Sequence, residues 1–298
     1  MDKVIVATRR SALALAQSRA WMQGFQRHTG IATEELHVVT TGDRVQDRAL
    51  NEIGGKGLFV KEIEEALLDG RAHFAVHSLK DVPAQLAPGL QITCYPPRED
   101  PRDVIRTRSG CSFDELPAGA RVGTSSLRRV VQLSRRRPDL QFLPLRGNVD
   151  TRLRKCEEGQ VDAVVLALAG LVRLGFEQRY THVLEPEICL PAVGQGALAI
   201  EQRGDAAELT GWANSMTDPQ TEIAAAAERG VMVAVEGNCQ VPVAAYACEV
   251  DGQMWLRAML AESDGSRLRS RETRVAWPDA AEAGRLGTEL GRALRAAS

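Results

Sequence analysis

Hydroxyl and cationic side chains gather in this chain at the points where apolar runs end and helical patterns begin. Arg9 and Ser11 follow the run KVIVAT, and Ser78, Lys80 and Asp81 close the run HFAVHSLKD. Thr124, Ser125 and Ser126 precede a helical pattern that opens with Arg128 and Arg129; Arg146 and Asn148 follow QFLPL, with Arg152 in the next helical stretch. In an open α/β sheet, ligands bind beyond the carboxyl ends of the strands. Helix N-termini there offer unpaired N–H groups and a partial positive charge, and Arg adds a planar fork suited to carboxylates. One such site, GTSS for example, reads by itself as an ordinary helix cap. Several on one rim point to a ligand with many carboxylates or phosphates.

Two other residue types could do chemistry. Asp81 is an acid among these cations: by itself a turn cap or an ion-pair partner of Lys80, but in a cationic cleft a group that could donate a proton or stabilise a developing cation. Cys239 lies in the turn-like EGNCQVP, whose context favours an accessible thiol over the buried apolar role usual for free Cys. The run Arg135, Arg136 and Arg137 falls at a helix C-terminus, where cations relieve the dipole and face solvent.

Several chemistries are set aside. The GGKG segment at 54–57 is no P-loop, with Leu50 in place of the first glycine and Gly57 in place of the Ser/Thr, and GQGALA at 194–199 runs on as a strand. The six cysteines form no CxxC pair and read as free thiols in a reducing compartment. His73 and His77 alternate on a strand-like pattern, about 13 Å apart along one face, so no metal site is expected.

The elements that must position these groups alternate strand and helix over the first two hundred residues. KVIVATR, ELHVVTT and HFAVHSLKDVP read as strands, LALAQSRAWMQGF and FVKEIEEALLDG as helices. YPPREDPRD, with its prolines and mixed charge, reads as a hinge. A second α/β block follows, and PEICLPAVGQGALAIE reads as a return crossover, so that a cleft lies between two lobes with mostly parallel sheets. After Asp218 and Pro219 come a helix, strands separated by Asp251-Gly252 and Asp264-Gly265 hairpin turns, and a final helix. The expected division is a discontinuous first lobe (1–96 and 196–215), a second lobe (97–195) and a small C-terminal α+β domain (216–298). The chain has 298 residues, and 37 basic side chains nearly balance 39 acidic ones for a formal net charge of -2. No overall basic field argues for nucleic acid. Arg9 and Arg10 interrupt the N-terminal apolar stretch and the longest uncharged run is too short for a bilayer, so the expectation is a cytoplasmic protein without membrane or nucleic-acid partners.

At these residues the sequence resembles a known family. ATRRSALALAQ, GGKGLFVKEIE, AVHSLKDVP, REDPRD, VGTSSLRR, LRGNVDTRL, LPAVGQGALAIE and EGNCQVP, in this order, closely resemble porphobilinogen deaminases (hydroxymethylbilane synthases) over nearly the whole chain. The resemblance implies two lobes like those of periplasmic binding proteins plus a third domain, a monomeric chain, and a transferase of tetrapyrrole (porphyrin and heme) biosynthesis that polymerises four porphobilinogen molecules head to tail and hydrolyses the product to release hydroxymethylbilane. It implies one dipyrromethane cofactor per chain, assembled from porphobilinogen itself and thioether-linked to Cys239. Asp81 would be the catalytic acid, assisting loss of ammonia and stabilising an azafulvenium-like cation. Lys80, Thr124, Ser126, Arg128, Arg129 and Arg146 would hold the cofactor's acetate and propionate groups, with weaker carry-over to Ser78, Ser125 and Asn148. Arg9, Ser11 and Arg152, and more weakly Arg173 and Gln195, would hold those of the substrate. Asp81 would then be the lone acid among many bases. Asn238 stands where relatives have a small residue, often Gly, and Glu52 where some have Lys.

Two other function classes use such lobes or such anion sites. A binding protein or regulator domain would need a signal peptide or a helix-turn-helix, and neither is visible; a nucleotide-dependent enzyme fails on the phosphate motifs.

Overall fold

The structure is a computed structural model that describes residues 3–44, 60–236, 241–262 and 264–297. Cys239 with its neighbours Gly237 and Asn238, the GGKG segment and Glu52 lie outside the described residues.

In chain order the first elements are β1 (Lys3–Arg9), α1 (Ala12–Thr29), β2 (Ala32–Val38), α2 (Thr41–Arg44), α3 (Lys61–Leu68), β3 (Phe74–Ser78) and β4 (Leu90–Cys94). There follow β5 (Asp103–Thr107), β6 (Arg121–Gly123), α4 (Leu127–Arg136), β7 (Gln141–Leu143), α5 (Val149–Glu157), β8 (Ala163–Ala167), α6 (Leu168–Arg173) and β9 (His182–Leu184). The last are β10 (Leu198–Arg203), α7 (Ala207–Asn214), α8 (Pro219–Ala234), β11 (Val243–Val250), β12 (Gln253–Leu260), β13 (Arg269–Ala276) and α9 (Ala280–Ala296).

The strands form three sheets, ordered β2-β1-β3-β10-β4, β7-β6-β8-β5-β9 and β11-β12-β13. The first two share one plan. In each, four strands run the same way and the fourth in order, β10 or β5, runs against them. The expected parallel character therefore holds with one reversed strand per sheet. Both reversed strands follow a crossover: β5 comes after residues 95–102 and β10 after residues 190–197. Reversal has a consequence for chemistry, because the first residue of each such strand lies at the carboxyl edge of its neighbours. Asp103 pairs with Ala167 and Leu198 with Ser78 at that edge.

Local signals explain the element ends. Ser11 caps α1, accepting a hydrogen bond from the Ala14 amide, and Gly30 ends it in a left-handed conformation. Asp218 caps α8 with Pro219 in its first turn, and Asp279 caps α9. Asp251 and Gly252 take φ of 52° and 76°, the signs a tight hairpin turn between β11 and β12 requires. The expected strand through HFAVHSLKDVP stops earlier than its alternation suggests: Ser78 ends β3, and Leu79–Asp81 forms a 3₁₀ turn. Pro83 cannot extend a ladder: the Leu79 amide makes a last bond in register, to the Ala197 carbonyl, and the Val82 amide then closes the turn on the Leu79 carbonyl.

One core lies on each side of the sheets. Trp21, Phe25 and Phe74 pack ring to ring under the first sheet, and Ile105, Val122, Leu133 and Val165 fill the second. The antiparallel sheet closes its apolar face on α8 and α9 through Met254, Leu256, Val231 and Leu294. The two crossovers lie side by side, with the Glu99 amide donating to the Gly196 carbonyl. Gly196 has φ of +87°, and a Cβ there would sit 2.3 Å from the Glu99 carbonyl oxygen, so only glycine allows the approach. Among the described residues, no helix is long and apolar enough to cross a membrane and no group of metal-ligating side chains is assembled. His77 is buried against Glu201 at 2.9 Å, and His73 precedes β3 and accepts from the Ile5 amide, so both serve structure.

Candidate active site

A cavity of about 390 Å³ opens between the first two sheets, at the carboxyl edge of both. That volume lies in the range of small-molecule sites. Arg9, Ser11, Ser78, Lys80, Asp81, Ser125, Ser126, Arg128, Arg129, Arg146, Asn148, Arg152, Arg173 and Gln195 all line it. Thr124 does not: it is buried behind the rim, where its Oγ1 accepts from the Ser126 amide at 3.2 Å.

The cationic groups divide into two kinds. Arg128 and Arg129 are buried and bound to one carboxylate, Asp103, with Arg128 Nη2 donating to Oδ2 and Arg129 Nη2 to Oδ1, each at 2.7 Å. Gln195 donates to the same Oδ1 at 2.9 Å and to the Pro101 carbonyl, and Cys189 Sγ lies 3.2 Å from Oδ2. Asp81 is thus not the lone acid of the cleft. Asp43, paired with Arg9, also lines it, and Asp103 lies fully buried behind its wall. Burial alone would raise the Asp103 carboxyl, but the Arg128 and Arg129 guanidinia outweigh it and hold the group well below the usual carboxylate range. The Cys189 thiol beside it is pushed up to about 12, by burial first and then by Asp103, and is no nucleophile.

The second kind is available for a ligand. Lys80 has no hydrogen-bond or ion-pair partner among the described residues, and Arg146 keeps its Nη1 buried and unpartnered. Arg152 uses Nε on the Gly147 carbonyl at 2.7 Å, leaving its terminal nitrogens to the cavity. Ser126 and Asn148 occupy the N-cap positions of α4 and α5, yet neither side chain makes the capping bond. Their polar atoms and the first-turn amides are left facing the cavity, whereas Ser11 is spent on its cap. Ser78 is paired with Gln17, Ser125 donates to the Leu145 carbonyl, and Arg173 donates to the Gly196 carbonyl at 2.6 Å.

Removal from water shows in Lys80 and Arg152. Burial lowers Lys80 to about 8, with Arg129 and Arg128 adding to the effect and Asp81 and Asp103 opposing it. Burial lowers Arg152 to about 10, helped by Arg129 and Arg146. Both shifts mark cations held away from water, whose charged form an entering anion would favour. Asp81, in contrast, is exposed at the end of its 3₁₀ turn, with no hydrogen bond to its carboxylate.

Two expected outcomes follow directly. Because Asp103 is the shared counter-ion of two buried guanidinia, Asp103→Ala is expected to lower stability by about 3–5 kcal/mol in chemical denaturation, as for other broken buried pairs. Since its folded carboxyl is depressed, the Asp103 contribution is complete above the unfolded value of about 3.9. It is lost only as pH falls from there towards the folded value. Lys80 sets a second pH dependence. A carboxylate ligand favours its charged form, so affinity for a small polycarboxylate should fall as pH rises through about 8. Lys80→Arg should remove that fall; a flat profile in the parent would separate Lys80 from the ligand.

Arg137, expected to be solvated, donates to the Phe113, Asp114 and Leu116 carbonyls and to Asp139, tying the end of α4 to the preceding loop. Arg136 forms only an exposed pair with Asp114. Asp103 and Asp43 escaped the sequence reading. The one signal for Asp103 was an acid at the start of the apolar run VI, and its position at the cleft edge depends on the reversal of β5.

Such a cleft suits a ligand with several carboxylates, and sequence comparison names the ligand's family. Residues 4–211 match the family profile "Porphobilinogen deaminase, dipyromethane cofactor binding domain", and residues 223–296 match "Porphobilinogen deaminase, C-terminal domain". The chain belongs to the porphobilinogen deaminase family. It is 60% identical over 295 residues to the porphobilinogen deaminase of Sorangium cellulosum (strain So ce56), covering 98% of both chains. It is 48% identical over 297 residues to that of Syntrophobacter fumaroxidans (strain DSM 10017 / MPOB), covering 98% of this chain and 94% of the other. Among solved structures, the periplasmic VFT2 domain of Bordetella pertussis BvgS aligns with 72% of this chain and 86% of its own, at 19% identity and a TM-score of 0.43. As a porphobilinogen deaminase the chain is a transferase of tetrapyrrole biosynthesis: it deaminates four porphobilinogen molecules, joins them on a dipyrromethane cofactor and releases hydroxymethylbilane. The described residues fit that cofactor. Its carboxylates require cationic and N–H donors in a confined space, and Lys80, Arg152, the orphaned Nη1 of Arg146 and the uncapped starts of α4 and α5 supply them.

Proposed function

We propose that Asp81 is the catalytic acid of this deaminase and that Cys239 carries the dipyrromethane through a thioether. The observation that carries the Asp81 assignment is its carboxylate, exposed and without a partner, in a cavity whose other free side chains are cationic or neutral donors. Loss of ammonia from porphobilinogen leaves positive charge on the pyrrole. A carboxylic acid there can pass its proton to the leaving amine, and the carboxylate so formed then faces the cation that results. When bound, the cofactor would supply the terminal pyrrole carbon to which the first ring is joined, each later ring adding to the one before it.

In this reading Lys80, Ser126, Arg146 and Asn148 hold cofactor carboxylates directly, with Arg152 and Arg9 towards the incoming substrate. Arg128 and Arg129 serve by charge from beneath and by fixing α4, since Asp103 takes much of their hydrogen bonding. Thr124 supports the Ser126 backbone, Gln195 and Arg173 brace the crossover, and Ser11, Ser78 and Ser125 shape the wall. The domain division that goes with this reading is 1–96 with 196–215, 97–195, and 216–298; the three separate sheets support it. The chain would work as a cytoplasmic monomer, which sedimentation of the purified enzyme and fractionation of cells would test.

The test of the site uses intact mass. Limited porphobilinogen added to the enzyme should give mass steps one ring at a time, because intermediates stay attached. Arg146→Leu should carry less primer or stall the ladder early while remaining as stable as the parent. Arg136→Leu should leave the ladder and turnover unchanged, its exposed ion pair being worth about 0–1 kcal/mol. Equal damage from both would mean that the anion site lies elsewhere.

A further inference from the structure

The turn that bears Asp81 is held from two sides. On the first, the Leu79 amide donates to the Ala197 carbonyl at 3.0 Å, and the Leu79 side chain fills a notch at Gly194, where a Cβ would fall 2.6 Å from Leu79 Cγ. On the second stands Arg229, from α8 in the C-terminal part of the chain. Its Nη2 donates to the Pro83 carbonyl at 2.9 Å and to the Ala84 carbonyl at 3.2 Å, just past Asp81 and Val82. Ala225, one helical turn earlier on the same face, packs with Leu79 and Val82. The neighbouring Glu228 faces the crossover instead, accepting from Arg98, the Gly194 amide and the Ala247 amide.

Arg229 is an unusual tether. It forms no salt bridge among the described residues, its Nη1 is buried without a hydrogen-bond partner, and burial disfavours its charge. A guanidinium kept half-buried on two carbonyls alone gains less than a paired one would. What it does achieve is geometric. One terminal nitrogen shared by two successive carbonyls, on a side chain rooted in a sixteen-residue helix, ties that helix to the residues that follow Asp81. The helix ends at Ala234, and the chain then leads to Cys239.

We propose that Arg229 is a positioning residue, which sets the place of the Asp81 carboxylate in the cleft by holding the Pro83 and Ala84 carbonyls to α8. It acts through the turn and does not touch substrate. The proposal rests on the assignment of Asp81 as the acid. A displacement of about 1 Å at a reacting group can cost up to about a hundredfold in rate, and one lost tether should cost part of that.

The test measures primer content by intact mass, then kcat and KM, in Arg229→Met, Arg229→Lys and Arg229→Gln. Arg229→Met should carry the full primer, lose about tenfold in kcat and keep KM within about twofold, because carboxylate binding is untouched. Arg229→Lys, which can still reach a carbonyl, should recover most of the loss. Should Arg229→Met fail to accumulate, Arg229→Gln gives the same reading, with reduced kcat at unchanged KM. The decisive measurement adds Arg229→Met to Asp81→Glu, whose longer arm has already lost the fitted position. Little further loss is expected there, whereas a merely structural role would give the same fold-loss in both backgrounds. Unchanged kcat, a raised KM with intact kcat, or additive losses would each overturn the proposal. If Asp81 variants turn over normally, the acid assignment itself falls; if they are slow and Arg229→Met is not, only the role of Arg229 falls.

Discussion

Asp81→Asn should turn over at least about a hundredfold more slowly than the parent, the usual cost of a lost acid/base group. The substitution keeps size and polarity and removes only the proton and the charge. Asp81 is exposed and makes no hydrogen bond to its carboxylate, so stability should hardly change. Porphobilinogen should still bind, because the carboxylate-holding groups proposed above are Lys80, Arg146, Arg152 and the starts of α4 and α5. The loss should therefore appear in kcat, with KM little altered, and the purified protein should retain some ability to take up pyrrole. Near-normal turnover in a steady-state assay would remove Asp81 from the mechanism and leave the acid to be sought elsewhere in the cavity.

The second large effect concerns the anchor. The purified chain should carry the mass of two porphobilinogens less two ammonias, and digestion should place that adduct on Cys239. Five other thiols offer an internal control. Cys94, Cys156 and Cys189 are buried, and Cys111 and Cys248 are half-buried away from the residues lining the cavity. None should be modified. Cys239→Ala should lack the adduct, should not turn over, and should melt at a lower temperature, since a group bound only to the folded state adds stability. A fully active enzyme with an unmodified Cys239 would sink the assignment of the anchor.

Much of the fold was legible along the chain, because its signals are local. Ser11 and Asp218 act as caps, Gly30 and Asp251-Gly252 as turns, and apolar runs of strand length form strands where they are written. Periodicity failed where a local turn ended a ladder. Leu79 continues the alternation of β3 and its amide still bonds to Ala197 in register with β10, but the Val82 amide closes back on the Leu79 carbonyl, so the chain turns at Asp81 beside the cleft. The candidate site was legible in membership more than in role. Fourteen of the predicted residues line one cavity. Which of them are free to bind could not be read, because that depends on partners distant in sequence.

Sequence alone therefore determined the kind of ligand this protein handles: hydroxyls and cations at strand ends point to an anion with several carboxylates or phosphates, while the roles proposed for Asp81 and Cys239 come with the family resemblance. Tertiary structure decided how the charges are shared. Reversal of β5 brings Asp103 to the carboxyl edge, where it takes up Arg128 and Arg129, and α8 brings Arg229 behind the Asp81 turn. The physical reason is the range of the interactions. Caps, turns and strand periods are set by residues a few positions apart, whereas a buried carboxylate and its guanidinia meet only once the sheet is assembled, and only then is it settled which cations remain for the ligand.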